Sequence, residues 1–264
     1  MVITTYNRVE LLRRLFKSIV RQTLAPAEVI VVDDASRDKA AYHSLIQEFR
    51  GNIRRLRYLP NPFNRGLSFS RNRGILAAQN PLIALSDDDD EWMPRKLQEQ
   101  VKAFQRHWDE IDFVYTGVLM KDEKGGILWR WNPSMGGGGL REYLSDISGK
   151  LPNVSATLIK RESLLQSGLF DVNLPACEDW DLWIRLIERG CRFHSVRGFL
   201  TLLHVQNAGM SRSSTAKKGF ILLARKHFRL LAGVRPAVFL QLAWFATGFK
   251  LGLRKIAEKF LGVK

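Results

Sequence analysis

Residues 87–91 read DDDDE, directly after an apolar run, PLIAL, at 81–85. Carboxylates in contact repel by about 4 kcal/mol per pair at an effective dielectric of about 20. Such a run at the end of a buried strand therefore calls for a positive partner. A second acidic pair, Asp33-Asp34, closes the apolar run EVIVV, and a third, Glu178-Asp179, heads the stretch DWDLWIRLIERG. A fourth polar group, Thr4-Thr5-Tyr6-Asn7-Arg8, follows Val2-Ile3. Carboxylates in these places can meet a cation, take a proton in base catalysis, or cap a helix. The acidic run is no EF-hand, because the twelve-residue loop with its glycine and terminal glutamate is missing.

The elements around these groups alternate. MVITTYN predicts a strand, and NRVELLRRLFKSIVRQTL a helix with Asn7 as N-cap and Val9, Leu12, Phe16, Ile19 and Val20 as its apolar stripe. EVIVVDD is a second strand and SRDKAAYHSLIQEFRG a helix ended by Gly51; the competing reading of Asp33-Asp34 is capping of that helix near Ser36. IRRLRYLPN, GLSFSRNRGILAAQ and PLIALSD continue as strand, helix and strand. Apolar strands alternating with helices predict βαβ units and a parallel sheet. Ligands then bind beyond the carboxyl ends of the strands, the edge where the first, second and fourth strands place their polar clusters. The remainder predicts a helix in MPRKLQEQVKAFQRHW, with Pro94 in its first turn, and a hairpin turning at Gly125-Gly126. A GGGG loop at 136–139, either a lid or a passive connection, is followed by VSATLIKR, the helix headed by Asp179, and strands near RFHSV and FLTLLHV. Asp90 is expected to cap the helix that follows it.

The chain has 264 residues, enough for a sizeable core, and an ordinary globular composition. Two cysteines, Cys177 and Cys191, argue against a disulfide scaffold and for a reducing compartment. The opening segment lacks the pattern of a signal peptide. Formal charge is +15, and residues 212–264 hold twelve Lys/Arg against Glu258, so +11 of it lies there. A block of this kind implies an anionic partner surface, membrane or nucleic acid. Phe220, Leu223, Ala224, Phe228 and Leu231 recur at helical spacing opposite Lys218, Arg225 and Arg229. That pattern fits a helix on a membrane surface or one packed on the main domain with a solvated basic face. The apolar run at 237–249 is thirteen residues long, short of the 18–20 or so needed to span a bilayer.

In order and separation, VITTYNR, VIVVDDAS, SRNRGI, IALSDDDDEW and CEDWDLWIRL resemble family 2 of the inverting nucleotide-sugar glycosyltransferases, which have the GT-A fold. The likeness runs from Val2 to about His204. It departs from the family in starting at the first strand without leading residues. It also lacks the QxxRW of processive synthases, which implies one sugar added per acceptor. The resemblance implies a GT-A catalytic domain at 1–210, with a nucleotide-binding half at 1–92 and an acceptor half at 93–210, followed by a basic amphipathic tail at 211–264. Thr4, Tyr6, Asn7, Arg8 and Asp34 would line the nucleoside pocket, Asp34 accepting the imide N–H of uracil or thymine. Asp88 would hold the ribose hydroxyls beside Asp87. Asp89, ending the family's D-x-D, would bind Mn²⁺ or Mg²⁺, which suit hard carboxylate oxygens and substrate phosphates; His204 would complete that shell. Asp179 would be the general base and Glu178 its support, the competing role being a helix cap. Arg71 would approach the donor phosphates or stand at the surface. Trp180 would stack on a sugar, and Trp183 would pack in the core.

The function expected is metal-dependent transfer from a UDP- or dTDP-sugar to a glycan or lipid-linked acceptor in cell-surface polysaccharide or lipopolysaccharide synthesis. Its place would be cytoplasmic, peripheral at the inner face of the plasma membrane. A nucleotidyltransferase is the first alternative, but the place of its glycine-rich phosphate loop holds TTYNR. A non-catalytic membrane or nucleic-acid binder is the second. No nucleic acid partner is expected, since no recognition motif is present and an acidic cleft repels phosphates.

Overall fold

Neighbouring residues of the first strand go to opposite layers: Val2 belongs to one apolar cluster and Ile3 to the other. The two-residue repeat of a strand requires this. The same alternation parts Ile30 and Val32 from Val29 and Val31, and Phe113 from Val114. The computed structural model, which describes residues 1–122, 124–131, 152–204, 214–227 and 230, is accordingly a three-layer α/β/α arrangement around one sheet.

The front half is built from β1 (Val2–Thr5), α1 (Val9–Val20), β2 (Val29–Asp33), α2 (Lys39–Phe49), β3 (Leu56–Pro60), α3 (Leu67–Ala77) and β4 (Leu82–Asp87). Its strands pair in the order β3-β2-β1-β4, all parallel. The back half adds β5 (Glu91–Trp92), α4 (Lys96–His107), β6 (Phe113–Lys121), β7 (Ile127–Trp131), a 3-10 turn at Val154–Ala156, β8 (Thr157–Lys160) and α5 (Arg161–Gln166). It closes with α6 (Glu178–Glu188), β9 (Phe193–His204) and α7 (Ser214–Lys226). Here β8 runs antiparallel to β4 and β6, β9 parallel to β6, and β5 antiparallel to β9, while β7 folds back on β6. The sheet thus passes from wholly parallel to mixed without a break.

Strand register gathers the polar clusters. Thr4 lies opposite Asp87 and Thr5 opposite Asp33, so three strand ends open on one edge. Several expectations are corrected in detail. Asn7 is not the cap of α1: it sits at φ 54°, and its Oδ1 accepts the Arg37 N–H instead. Helix α2 starts at Lys39 and is capped by Asp38, which leaves Asp33 and Asp34 free of that duty. Asp90 caps nothing, because the next helix starts six residues on at Lys96; Asp90 is buried. RFHSV and FLTLLHV are one strand, bent where Gly198 takes φ 114°. The GGGG segment, the run at 237–249, Phe228 and Leu231 lie outside the described residues. Among those described, no helix is long and apolar enough to cross a membrane, and Cys177 and Cys191 are free thiols.

Helix α3 reaches the sheet through Gly74. A Cβ there would stand 2.3 Å from Val2 Cγ1 and 3.2 Å from Val32 Cγ2, both on stiff, buried β-branched side chains. Gly74→Ala should destabilise the protein by about 1–3 kcal/mol through overpacking, despite a gain of about 1 kcal/mol in helix propensity. Denaturant unfolding measures it, and an unchanged or higher midpoint would mean that the layers part easily.

Candidate active site

The site begins with the loop after β1. Thr5 Oγ1 and Tyr42 Oη are 3.0 Å apart, and the Tyr42 hydroxyl also accepts the Arg8 N–H at 2.8 Å. The Asn7 N–H donates to Ser36 Oγ at 2.8 Å, and the Ser36 N–H in turn donates to Asp33 at 3.0 Å. Asp33 also takes the Tyr58 hydroxyl at 2.6 Å. This network tolerates left-handed backbone at both Asn7 and Ala35, a conformation that needs surrounding support in a residue other than glycine. Tyr6 is left 43% exposed above it, and Thr4 Oγ1 is buried without a hydrogen-bond partner.

Asp34 faces a second loop. Its Oδ1 accepts from Asn61 Nδ2 at 2.7 Å and the Arg65 N–H at 2.8 Å, and its Oδ2 from the Gly66 N–H at 2.8 Å. A carboxylate offers about four lone-pair positions, so one acceptor position remains, on Oδ2.

The acidic run divides. Asp87 leans to Arg71, whose Nη2 donates at 2.7 Å, while Ser155 Oγ accepts the Asp87 N–H at 3.0 Å. Asp88 and Asp89 meet Arg8 at 2.7 and 2.8 Å. The Asp88 contact is an ion pair out of line for a hydrogen bond, and both its buried oxygens lack a donor. Burial, against the charge of Arg8, pushes the Asp88 carboxyl up to about 7. Burial and then Asp87 raise Asp89. Asp90 turns inward; burial, then Asp89 and Asp87, raise it well above the usual carboxylate range. Beneath it lies Lys96, fully buried, donating to Gln100 Oε1 at 2.9 Å and placed 3.9 Å over the Trp92 ring. Burial lowers the Lys96 ammonium well, against the pull of Asp90.

Helix α6 brings the third carboxylate pair. Cys177 precedes it at φ 63°, and no side chain caps its first turn. Arg71, on α3 and itself buried, spans the gap: Nη1 donates to Glu178 at 2.7 Å while Nη2 holds Asp87. Phe170 backs the guanidinium, its ring centre 5.1 Å from Cζ. Against the cost of burial, Asp87 and Glu178 keep Arg71 firmly charged. Asp179 accepts the Trp180 N–H at 2.8 Å. Burial first, then Glu178, push its carboxyl up to about 7, with Arg71 opposing. A base near 7 is matched to proton abstraction at neutral pH.

His204 ends β9, and its Nε2 lies 2.8 Å from Glu91 Oε1. Burial and Arg14, against Glu91, lower its pKa. It thus stands beside the acidic run with Glu91 as its partner. Among the described residues no three His, Cys, Asp or Glu side chains are grouped to hold a metal by themselves. Trp180 is half-buried, and Trp183 is a core residue stacked on Phe113. Ser155, Tyr42 and Lys96 escaped sequence reasoning, as did the inward turn of Asp90 and the hold of Asp33 on Ser36 and Tyr58. A lysine in MPRKLQEQ carries no mark of burial, and Tyr42 acts across 34 residues.

Residues 1–164 match Glycosyl transferase family 2. The chain belongs to that family. The Escherichia coli K12 protein WcaA, named for a glycosyl transferase role in colanic acid biosynthesis, is 27% identical over 234 residues, covering 84% of this chain and 78% of its own. Among solved structures, TarS 1–349 of S. aureus aligns with a TM-score of 0.70, and with 0.68 in its complex with UDP-GlcNAc. There identity is 18%, with all of this chain and 75% of that chain covered. The mannosyltransferase PcManGT of Pyrobaculum calidifontis, in complex with GDP-Man and Mn²⁺, aligns at 0.64 and 18% identity, covering 94% and 72%. The family 2 chain is therefore a glycosyltransferase with the GT-A fold.

Arg71→Met would leave the half-buried carboxylates of Asp87 and Glu178 unpaired, which costs up to about 3–5 kcal/mol. Losing the cation raises the folded-state pKa of its neighbours, so the variant gains protons and part of its stability as pH falls. The deficit should be larger at pH 8 than at pH 6 in denaturant titrations; equal deficits would refute the electrostatic account.

Proposed function

We propose that this family 2 enzyme moves one sugar from a UDP- or dTDP-sugar to a glycan or lipid-linked acceptor, with inversion, in cell-surface polysaccharide or lipopolysaccharide synthesis. The observation that carries the reading is the Arg71 bridge, which puts the Glu178-Asp179 end of α6 against Asp87 on the strand-end edge. In this reading Asp179 accepts the proton of the acceptor hydroxyl as its oxygen attacks the anomeric carbon. The bond from that carbon to the diphosphate breaks, and the nucleoside diphosphate leaves with the electron pair from the opposite face. Glu178, fixed by Arg71, keeps Asp179 basic enough to take the proton.

Asp34 supports the choice of nucleotide. One remaining acceptor position matches the single N3–H of uracil or thymine better than the two-donor edge of guanine. Exposed Tyr6 is placed to cover the base, with Thr4, Asn7 and Arg8 shaping the loop beneath. Asp88 has unused oxygens for ribose hydroxyls. Asp89, with His204 nearby, fits Mn²⁺ or Mg²⁺, and the incomplete protein shell suits an ion that shares the donor's phosphate oxygens. The cation, when bound, offsets charge on the departing diphosphate. WcaA's name supports a polysaccharide setting, and the basic segment at 211–264 supports a peripheral place on an anionic membrane, at its cytoplasmic face.

Three measurements test this. UDP or dTDP should bind with Mn²⁺ at least about tenfold more tightly than GDP, a difference of about 1.4 kcal/mol, and Asp89→Ala should abolish the metal-dependent part. Asp179→Asn should retain UDP binding while lowering turnover by about 10²–10⁴-fold; near-normal turnover would sink the base assignment. Burial raises Asp89 above the usual carboxylate range and metal competes with protons for a carboxylate, so UDP with Mn²⁺ should raise Tm more at pH 8 than at pH 5.5. An equal rise at both pH values would place the ion elsewhere.

A further inference from the structure

Asp181 lies two residues beyond the proposed base and is fully buried. Arg185 of its own helix meets it at 2.7 Å, and two groups from the end of α7 join in: Lys226 at 2.8 Å and His227 at 2.8 Å. Burial alone would raise this carboxyl, yet the His227, Arg185 and Lys226 donors hold it well below the usual carboxylate range. Lys226 also reaches Asp171 at 2.6 Å. Gly219 lies so close to the turn before α6 that a Cβ would stand 2.6 Å from the Ala176 carbonyl oxygen. Phe220 meets Trp180 edge-on at 5.2 Å, and Leu223 is buried in the core that holds Trp183. Helix α7 is thus seated on the segment that carries Glu178 and Asp179.

Its other face is cationic. Lys217, Lys218, Ile221 and Arg225 are exposed and lie along one side of the helix, which has no acidic residue. We propose that this face of α7 rests on an anionic bilayer and, through Asp181, presents the Asp179-Trp180 end of α6 to an acceptor held in that bilayer. The first half rests on charge and exposure; the second rests on the proposed role of Asp179 and narrows the acceptor to a membrane-held one. Ile221 favours a bilayer over a nucleic acid, because an apolar group among cations gains from the acyl boundary, whereas phosphate backbones reward charge alone.

The test uses the full chain with vesicles of phosphatidylcholine, with and without phosphatidylglycerol. Wild-type protein should co-sediment with the anionic vesicles in a salt-sensitive way. The variant carrying Lys217→Glu, Lys218→Glu and Arg225→Glu should bind them at least about tenfold more weakly. Anionic vesicles should also slow amide hydrogen exchange in α7 and in the first turn of α6. Asp181→Asn should keep vesicle affinity and lose the protection in α6. Gly219→Ala, which keeps α7 helical but pushes it from Ala176, should do the same, so a folding defect of the first variant does not decide the matter. Undiminished binding by the charge-reversed variant, protection confined to α7 in the wild type, or binding to RNA but not to anionic vesicles would each overturn the proposal. Failure of UDP to bind would count against the proposed function alone, since vesicle affinity and exchange are read without donor.

Discussion

A single buried guanidinium joins the two chemical halves of this protein. Arg71 is reached from Asp87 at the end of β4 and from Glu178 at the head of α6, groups far apart in the chain. Two charged hydrogen bonds of 2.7 Å and the ring of Phe170 fix its plane, a geometry that a fork of parallel donors satisfies and a lysine does not. Without it, the helix with Asp179 and the strand with the acidic run would repel each other across the gap.

The compensation is incomplete by design of the residues present. Asp87, Asp88, Asp89, Glu178 and Asp179 are served by the guanidiniums of Arg8 and Arg71. Burial, which the two guanidiniums do not offset, pushes the carboxyls up to about 7 at Asp88 and Asp179. In the proposed function, a divalent ion arriving with a diphosphate would replace protons on such a site rather than add to an already balanced charge.

Much of this edge was legible from residues alone. Apolar strands ending in Thr4-Thr5, Asp33-Asp34 and Asp87 imply one rim once the βαβ handedness is assumed, and the register of Thr4 with Asp87 and Thr5 with Asp33 bears that out. The distinction between Asp33 and Asp34 was not legible. Identical in type, one organises Ser36 and Tyr58, and the other takes the 61–66 loop. Nor was the mixed back half, since β8 and β9 choose partners by long-range packing that no local period records. Arg71 was singled out in SRNRG through the family resemblance, but its hold on Glu178 was not legible, because it depends on a contact across 107 residues.

The inward turn of Asp90 gives the four aspartates unequal standing. With Lys96 under it, the pair is net neutral whichever partner keeps the proton, while Asp88 is buried against Arg8 and only Asp87 and Asp89 stay partly exposed at the rim. Position along the run therefore decides which carboxyl is sealed and which is offered. Deleting one aspartate would leave the composition of the motif almost intact, yet it would carry a partly exposed acid into the buried place above Lys96.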